Sequence, residues 1–219
     1  MNGNGGAWVR ECRRCPGALS GETGAALVLA LLVVVCLSGI GMGMVAASSS
    51  DRQISANARG AVAINLAAGA AIEGVIGEVA SAASWTPFVN GSRQSVFSAG
   101  SHQVTTASRT TLNLDSITAD IQSDAASTYP LGANTPAWRL FGWGPLTTLA
   151  GLAASESGAY VAVWIADDPS DNDGNAAVDA NGIIMLHGEA FGYGGARASA
   201  DVVLQRTAAR PRVLSWRSK

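Results

Sequence analysis

The sequence predicts an α+β protein in which one long N-terminal helix packs on an antiparallel β-sheet formed by the C-terminal part of the chain. Three observations lead to this fold class. An almost wholly apolar run occupies Ala25–Ala47. Apolar or small residues then recur at three- and four-residue steps as far as Val79, which is the spacing of one helix face. From Tyr160 onward, strand-like runs alternate with short turns.

The first half of the predicted helix, 25–47, is long enough to cross a membrane. At about 1.5 Å per residue it matches a hydrocarbon core of about 30 Å. No residue between Glu22 and Asp51 carries a charge. Arginines precede the run, which favours a cytoplasmic N-terminus and an exported C-terminal domain. The positions that we expect to face lipid include Leu27, Leu31, Val35 and Ile40.

Three interpretations of this segment compete. A secretory signal peptide cut before Ser48 would have an apolar core of roughly 7–15 residues, and this run is longer. A permanent signal anchor fits both the length and the flanking charges. The third interpretation is a prepilin-type leader, residues 1–24, that is cut on the cytoplasmic side and leaves the helix on the mature protein.

The second half of the predicted helix, 48–83, is amphipathic. Its charged residues fall off one stripe of apolar and small residues, so this half needs a partner surface. The stripe consists of Ile54, Ala58, Val62, Leu66, Gly69, Ile72, Ile76 and Val79.

Three ordered segments, 24–31 (GAALVLAL), 50–59 (SDRQISANAR) and 67–73 (AAGAAIE), resemble the N-terminal region of PilX-type minor pilins. These proteins belong to the type IV pilin superfamily, together with the pseudopilins of type II secretion. The resemblance covers about residues 20–80. It implies a pilin-like fold, with one long helix on one antiparallel sheet.

The resemblance also implies a processing site. A prepilin peptidase would cut after Gly24, and the new N-terminus would be a methylated Ala25. Gly21 is a second candidate, although cutting there would place Glu22 at the membrane edge. Major pilins carry a Glu as the fifth residue after the cut, where this chain has Leu29. The departure is typical of minor subunits that start or cap a filament.

The same resemblance implies partners and locations. The partners would be other pilin-like subunits, the prepilin peptidase, the inner-membrane assembly machinery and membrane lipid. The chain would first be a single-pass inner-membrane protein with an exported C-terminal domain, and later part of a cell-surface filament.

The exported domain, 84–219, is predicted to be rich in β-structure. Ser95–Ala99, Gln103–Ser108 and Leu112–Ile121 are expected to form short strands or irregular loops. Ser127–Thr148, rich in proline, glycine and aromatic residues, is expected to be an ordered loop region. Three clearer strands follow, and they form an antiparallel meander packed on the helix stripe: Tyr160–Ala166, 182–191 and Ala196–Arg206.

An acidic segment, Asp167–Asn181, separates the first two of these strands. Calcium prefers six to eight oxygen ligands on a sharply turning loop, and this segment offers carboxylates, amides and glycines. The alternative is a solvated hairpin loop in which the same residue types serve turn chemistry. No cofactor is required by the sequence, and calcium is the one that it favours. Its expected ligands are Asp171, Asp173, Asp179 and Asn181.

Catalysis and nucleic-acid binding are not predicted. The two histidines, His102 and His187, lie in no nucleophile or metal motif, and the net charge of −2 gives no general attraction for nucleic acid. The C-terminus does hold a basic cluster beside Trp216. A solvated tail is the simpler interpretation, and contact with an acidic partner or with DNA is the alternative. The cluster is Arg206, Arg210, Arg212, Arg217 and Lys219.

The sequence therefore favours a structural protein over an enzyme. The leading hypothesis is a minor pilin-like subunit that acts in the assembly, initiation or tip of a filament. The alternative is a membrane-anchored extracytoplasmic binding module that does not assemble into a filament. Its binding could depend on calcium.

Overall fold

A computed structural model of the chain describes residues 23–106, 109–129, 134–150 and 158–219. The chain divides into two compact units, Met1–Gln53 and Ile54–Lys219. Almost all of the predicted leader, 1–24, lies outside the described residues. The elements in chain order are α1 (Thr23–Val79), α2 (Thr86–Val89), β1 (Gln103–Thr105), β2 (Thr111–Asn113), α3 (Leu114–Thr128), β3 (Arg139–Pro145), α4 (Leu146–Ala150), β4 (Tyr160–Asp167), β5 (Ile183–Phe191), β6 (Arg197–Gln205) and β7 (Arg212–Ser218).

In the first unit, the described residues are helical throughout and form the N-terminal part of α1. Their apolar side chains are exposed: Leu27 by 66%, Leu31 by 61%, Val35 by 61% and Ile40 by 56%. Among the described residues, the stretch Gly24–Val79 is the one helix that is long and apolar enough to span a membrane. A lipid environment would cover the side chains that the chain itself leaves exposed.

In the second unit, the C-terminal part of α1 packs on the sheet through a face that shares only part of the predicted stripe. Ile72 and Val79 of that stripe are buried, as predicted, whereas Ile54, Val62 and Leu66 are exposed. The buried face contains alanines at the three- and four-residue spacing of a helix, and their small size lets the helix approach the sheet closely. The buried residues are Ile64, Ala67, Ala68, Ala71, Ile72, Val75 and Val79.

The helix ends at Val79, short of the predicted end at 83. The carbonyl oxygen of Val79 accepts hydrogen bonds from the Ala82 N–H, at 3.1 Å, and from the indole Nε1 of the fully buried Trp85, at 3.0 Å. These bonds satisfy a carbonyl that a helix end leaves without an intrahelical partner, so Trp85 sets where the helix stops.

The sheet has five antiparallel strands in the order β3-β4-β5-β6-β7, and each strand pairs with its neighbour in sequence. The meander predicted from Tyr160 onward is confirmed, because β4, β5 and β6 cover the three predicted strands. The meander is longer than predicted. β3 lies within the region expected to be a loop, and β7 lies within the basic C-terminus expected to be a solvated tail.

The two faces of the sheet are covered by different helices. On β5, Ile184, Leu186 and Ala190 belong to the core that α1 covers. Trp164 on β4 faces the opposite side and joins a second core with Leu114 of α3. Each face therefore has its own apolar cluster.

The segment Leu112–Ile121, expected to be a strand or a loop, is mostly helix. Only its first residues belong to β2, and α3 follows from Leu114. Asn113 caps the helix, because its side-chain oxygen accepts hydrogen bonds from the N–H groups of Asp115, at 3.1 Å, and Ser116, at 3.2 Å. The sequence does contain a helix signal, an asparagine N-cap followed by apolar residues at helical spacing, which the prediction of a strand or loop did not take into account.

Two other segments are predicted as short strands or irregular loops. Ser95–Ala99 is irregular with a turn, the second of these alternatives, and it is bonded to the edge of β3 through the Ser95 N–H to the Phe141 carbonyl, at 2.9 Å. Of Gln103–Ser108, only Gln103–Thr105 is a strand, and residues 107–108 lie outside the described residues.

Candidate metal centre

The acidic loop lies between β4 and β5, at residues 168–182, directly after the last residue of β4, Asp167. Residues 172–175 at its tip are exposed, but four carboxylates at its base are buried. Asp167 is 2% exposed, Asp168 5%, Asp171 4% and Asp179 6%. Buried carboxylates are rare unless they are paired, protonated or bound to a metal. Turn formation alone does not require this loop to bury so many of them.

Three carboxylates converge in this loop. One oxygen from each of Asp167, Asp171 and Asp173 lies within 4.8 Å of the others; the first two residues are buried and the third is exposed. Asp167 Oδ1 is buried and has no hydrogen-bond partner among the described residues. Opposite oxygens around a calcium ion are about 4.6–5.2 Å apart at bond lengths of about 2.3–2.6 Å. The spacing of the three carboxylates therefore fits one such ion.

Part of this cluster is held in place by main-chain donors. Asp171 Oδ2 accepts hydrogen bonds from the N–H groups of Ala180, at 2.8 Å, and Asn181, at 3.2 Å. Asp173 Oδ1 accepts from the Asn175 N–H at 2.8 Å. Within the described part of the chain, the other oxygen of each of these carboxylates accepts no hydrogen bond from a main-chain N–H.

The remaining polar side chains of the loop stabilise its turns. Asp179 Oδ1 accepts a hydrogen bond from the Gly182 N–H at 2.6 Å, where Gly182 has the positive φ of 77° that suits glycine. Asn181 Nδ2 donates to Asp168 Oδ1 at 2.7 Å, and Asn181 Oδ1 accepts from the Ile183 N–H at 2.7 Å. Both ends of the Asn181 amide are thus occupied within the loop.

The structure therefore divides the four residues predicted as calcium ligands into two pairs. Asp171 and Asp173 lie in the converging cluster, whereas Asp179 and Asn181 hold the loop. Asp167 completes the cluster and was not among the predicted ligands. Its position, the first charged residue after the apolar strand Tyr160–Ala166, is the signal that identifies it. Calcium binding itself stays a prediction.

The charges around the loop show why a cation would stabilise it. Burial, with the nearby negative charge of Asp171 as the next cause, raises the pKa of Asp167 to about 7. Burial also raises the pKa of Asp179. Among the described residues, the loop carboxylates have one ion pair with a basic side chain, between Arg206 Nη2 and Asp179 Oδ2 at 4.0 Å. A bound cation would reduce the repulsion among the remaining carboxylates.

A second charged cluster lies on the sheet face that α3 covers. His187 of β5 contacts Asp201 Oδ1 through Nδ1, at 2.6 Å, and Glu189 Oε1 through Nε2, at 3.1 Å. Glu189 also accepts two hydrogen bonds from the Arg197 guanidinium, at 2.6 and 3.0 Å. Lys219 Nζ lies 2.8 Å from Asp201 Oδ2. Every charge in this cluster has a partner, and the arrangement ties β5, β6 and the C-terminus together.

The ring of His187 also packs between two tryptophans. Its centroid lies 6.0 Å from that of Trp138 and 5.8 Å from that of Trp164. Both ring nitrogens are engaged with carboxylates and the ring contacts two tryptophans, so this histidine has a structural role in the cluster. The other histidine, His102, has its Nδ1 2.6 Å from Asp115 Oδ1 at an exposed position.

The two residues of the predicted processing site, Gly24 and Ala25, lie in the first turn of α1 and are exposed. A Cβ atom added at Gly24 would meet no atom of the described residues within 4 Å. A substitution there has room in the fold, so an effect on processing can be separated from an effect on folding.

Comparison of the chain with protein-family models, with curated proteins and with solved structures gives no match.

Proposed function

We propose that the chain is a minor pilin-like subunit that a prepilin peptidase processes at Gly24 and that acts in the assembly, initiation or tip of a filament. One observation carries the proposal. A single helix, α1, combines an exposed apolar segment with an amphipathic segment that packs on a five-stranded antiparallel sheet. The exposed segment needs an apolar environment outside the chain, which a membrane and then a bundle of like helices would supply in turn.

The mechanism that we propose is mechanical. The helix holds the subunit in the inner membrane, with the sheet domain exported, until assembly machinery draws it into a filament. Gly39, Gly41 and Gly43 in the exposed segment would let neighbouring helices approach closely, because these residues carry no side chain. Leu29, where major pilins have Glu, favours a scarce subunit over the main fibre subunit.

The proposal is tested on cells that express the full chain together with its own prepilin peptidase and filament system. Filaments sheared from the cell surface should contain the chain, and Gly24→Val should retain it, uncut, in the membrane. Gly39→Val is the matched control: it is also an exposed helix glycine with free space around it, and it should leave cutting unchanged. Absence of the chain from sheared filaments, with equal cutting of Gly24→Val and the wild type, would contradict the proposal.

A second candidate function is a membrane-anchored extracytoplasmic module that binds calcium without assembling. The observation in its favour is the unpaired, buried Asp167 oxygen beside Asp171 and Asp173. Titration calorimetry of the full chain in detergent should show calcium binding that Asp171→Asn abolishes. Asp120→Asn, an exposed change on α3, is the control and should bind as the wild type does. No heat at millimolar calcium would remove this candidate.

A further inference from the structure

The sheet has one open edge within the described residues. On the β3 side, the segment 95–99 covers the edge through the N–H groups of Ser95 and Ala99, each 2.9 Å from a carbonyl of β3. β7 is the last strand on the other side, and it pairs only with β6. An edge strand that pairs on one side presents a row of main-chain donors and acceptors to an incoming strand.

The register shows which main-chain groups of β7 point outward. Ser199 and Lys219 exchange both hydrogen bonds, at 3.1 and 2.8 Å, so they form a hydrogen-bonded pair. Such pairs alternate along an antiparallel ladder. The N–H and C=O groups of Trp216 and Ser218 therefore point away from β6, toward the open edge.

An apolar groove runs beside this edge, between β7 and the exposed face of α1. Two adjoining hollows of about 590 and 670 Å³ form it, and Glu73 lines both. Val62 and Leu66 of α1 are 59% and 68% exposed there, and Trp216 lies over Gly69, where an added Cβ would be 3.6 Å from the indole ring. An incoming strand would thus bury apolar side chains on the side that faces α1.

Positive charge surrounds the same edge. Arg210, Arg212 and Arg217 form no ion pair within 4.0 Å among the described residues. Arg217 pairs in register with Asp201, whose side chain contacts His187 on the sheet face away from α1; Arg212 pairs with Gln205 and also lines the groove beside α1. Opposite charges on neighbouring strands attract and like charges repel, so this face of an incoming strand would carry acids.

We propose that β7 and the groove beside it form a docking site for an extended segment of a partner protein in which apolar and acidic residues alternate. The segment adds a sixth strand to the sheet. Its apolar side chains pack on Leu66, Val213 and Trp216, and its carboxylates lie opposite Arg212 and Arg217. Main-chain hydrogen bonds give the affinity in this mode of recognition, and alternate side chains give the specificity.

A second copy of this chain is a poorer occupant. Pairing of β7 with another β7 would bring arginines together, and the opposite sheet edge is already covered by residues 95–99. The proposal does not depend on pilin-like assembly, because a strand could dock on the sheet edge of an anchored monomer.

The test uses the full chain in detergent and a fluorescent peptide of sequence Val-Glu-Val-Glu-Val-Glu-Val. We expect saturable binding and slower amide hydrogen exchange at Trp216 and Ser218. The double variant Arg212→Glu/Arg217→Glu should weaken binding by about tenfold or more. Arg93→Glu, near the covered edge, should bind as the wild type does. A peptide with Lys in place of Glu, and one with a central proline, should bind at least about tenfold more weakly.

Several outcomes would overturn the proposal. Equal binding of the Glu and Lys peptides would show that the arginines do not select the segment, and no binding at millimolar peptide would show that the edge is not a docking site. Arginine-dependent binding to vesicles of anionic phospholipid, without peptide binding, would assign these arginines to a membrane surface. Self-association lost in the double variant, without peptide binding, would make a second copy the occupant.

Discussion

Gly188 of β5 lies directly beneath Ile72 of α1. A Cβ atom at position 188 would come within 2.5 Å of Ile72 Cγ1, closer than real Cβ contacts allow. Ile72 is fully buried in the core between α1 and the sheet. The absence of a side chain at Gly188 is therefore what lets the helix seat this isoleucine on the sheet.

We predict that Gly188→Ala destabilises the fold by about 1–3 kcal/mol, because the new methyl group overpacks the core between α1 and β5. Gly77→Ala is the control: that position on α1 is exposed with no atom within 4 Å, so the change should stabilise by about 0.5–1 kcal/mol. Denaturant unfolding in detergent, followed by tryptophan fluorescence, measures both. If Gly188→Ala is as stable as the wild type, α1 does not pack on β5 as described.

Coupling between the two positions sharpens that test. Ile72→Ala removes the atoms that the Gly188→Ala methyl would meet, so the double variant should lose less stability than the sum of the two single changes. Simple additivity would show that the two residues are not in contact.

We predict that His187→Gln lowers the unfolding free energy by about 1–3 kcal/mol at pH 6, because it removes the charged partner that the buried Glu189 and the half-buried Asp201 share. The control is His102→Gln, which removes a histidine–carboxylate pair of the same length at an exposed site and should have little effect. Thermal unfolding of the three proteins makes the comparison. Equal losses in the two variants would contradict the structural role given to His187.

The same residue gives stability a defined pH dependence. Burial alone would lower the pKa of His187, but its hydrogen bonds to Asp201 and Glu189, and their negative charges, raise it above 6.5. The stabilisation is therefore fully present below pH 6.5 and is lost as the pH rises through the folded-state pKa. Unfolding measured from pH 6 to 9 should show this loss in the wild type, and a smaller one in His187→Gln. Parallel curves would contradict it.

We also expect Asp201 to make the folded state less stable at low pH. Burial would raise its pKa, but hydrogen bonds from His187 and Lys219 lower it to about 2. This contribution is present above pH 3.8 and is lost as the pH falls toward 2.

The pH dependence of stability that arises from Asp167 should be opposite in sign to that of a carboxyl group whose pKa is lowered on folding. Its folded-state pKa of about 7 lies above the unfolded value, so stability falls as the pH rises from 3.8 through 7. In the presence of a chelator, Asp167→Asn should lose this fall and be more stable than the wild type at pH 8, whereas Asp120→Asn should follow the wild type. At 100 times the dissociation constant, calcium should stabilise the wild type by about 2.7 kcal/mol and the Asp167→Asn variant much less.

If the unfolding free energy of the wild type, measured in the presence of a chelator, does not change as the pH rises through 7, the pKa of Asp167 is not raised by burial. Equal stabilisation of wild type and Asp167→Asn by calcium would place the ion elsewhere.

The parts of the fold that could be predicted are those with strong periodicity. The apolar helix and the strands from Tyr160 to Gln205 have long, regular patterns. β3 and β7 could not be predicted in the same way. Glycine, proline and tryptophan mask the strand pattern of β3, and the arginines of β7 match the composition of a solvated tail because an edge strand exposes most of its side chains.

The buried face of α1 and the set of converging carboxylates could be predicted only in part from the sequence. Several apolar stripes can be drawn on α1. The predicted stripe shares Ile72 and Val79 with the buried face, and only contact with the sheet selects Ala68 and Val75. The acidic loop could be predicted as a cation site from its composition. Which carboxylates converge depends on the turns at Gly174 and Gly182 and on main-chain donors that no spacing rule specifies.

The mass and N-terminal sequence of the chain, purified from membranes of cells that contain its own prepilin peptidase, test the central claim most directly. A chain that begins at Ala25, with a methylated amine, is the result that a pilin-like subunit predicts. A chain that retains Met1 would be a permanent anchor, and one that begins at Ser48 would be an ordinary secreted protein. Either of these results would contradict the proposed function.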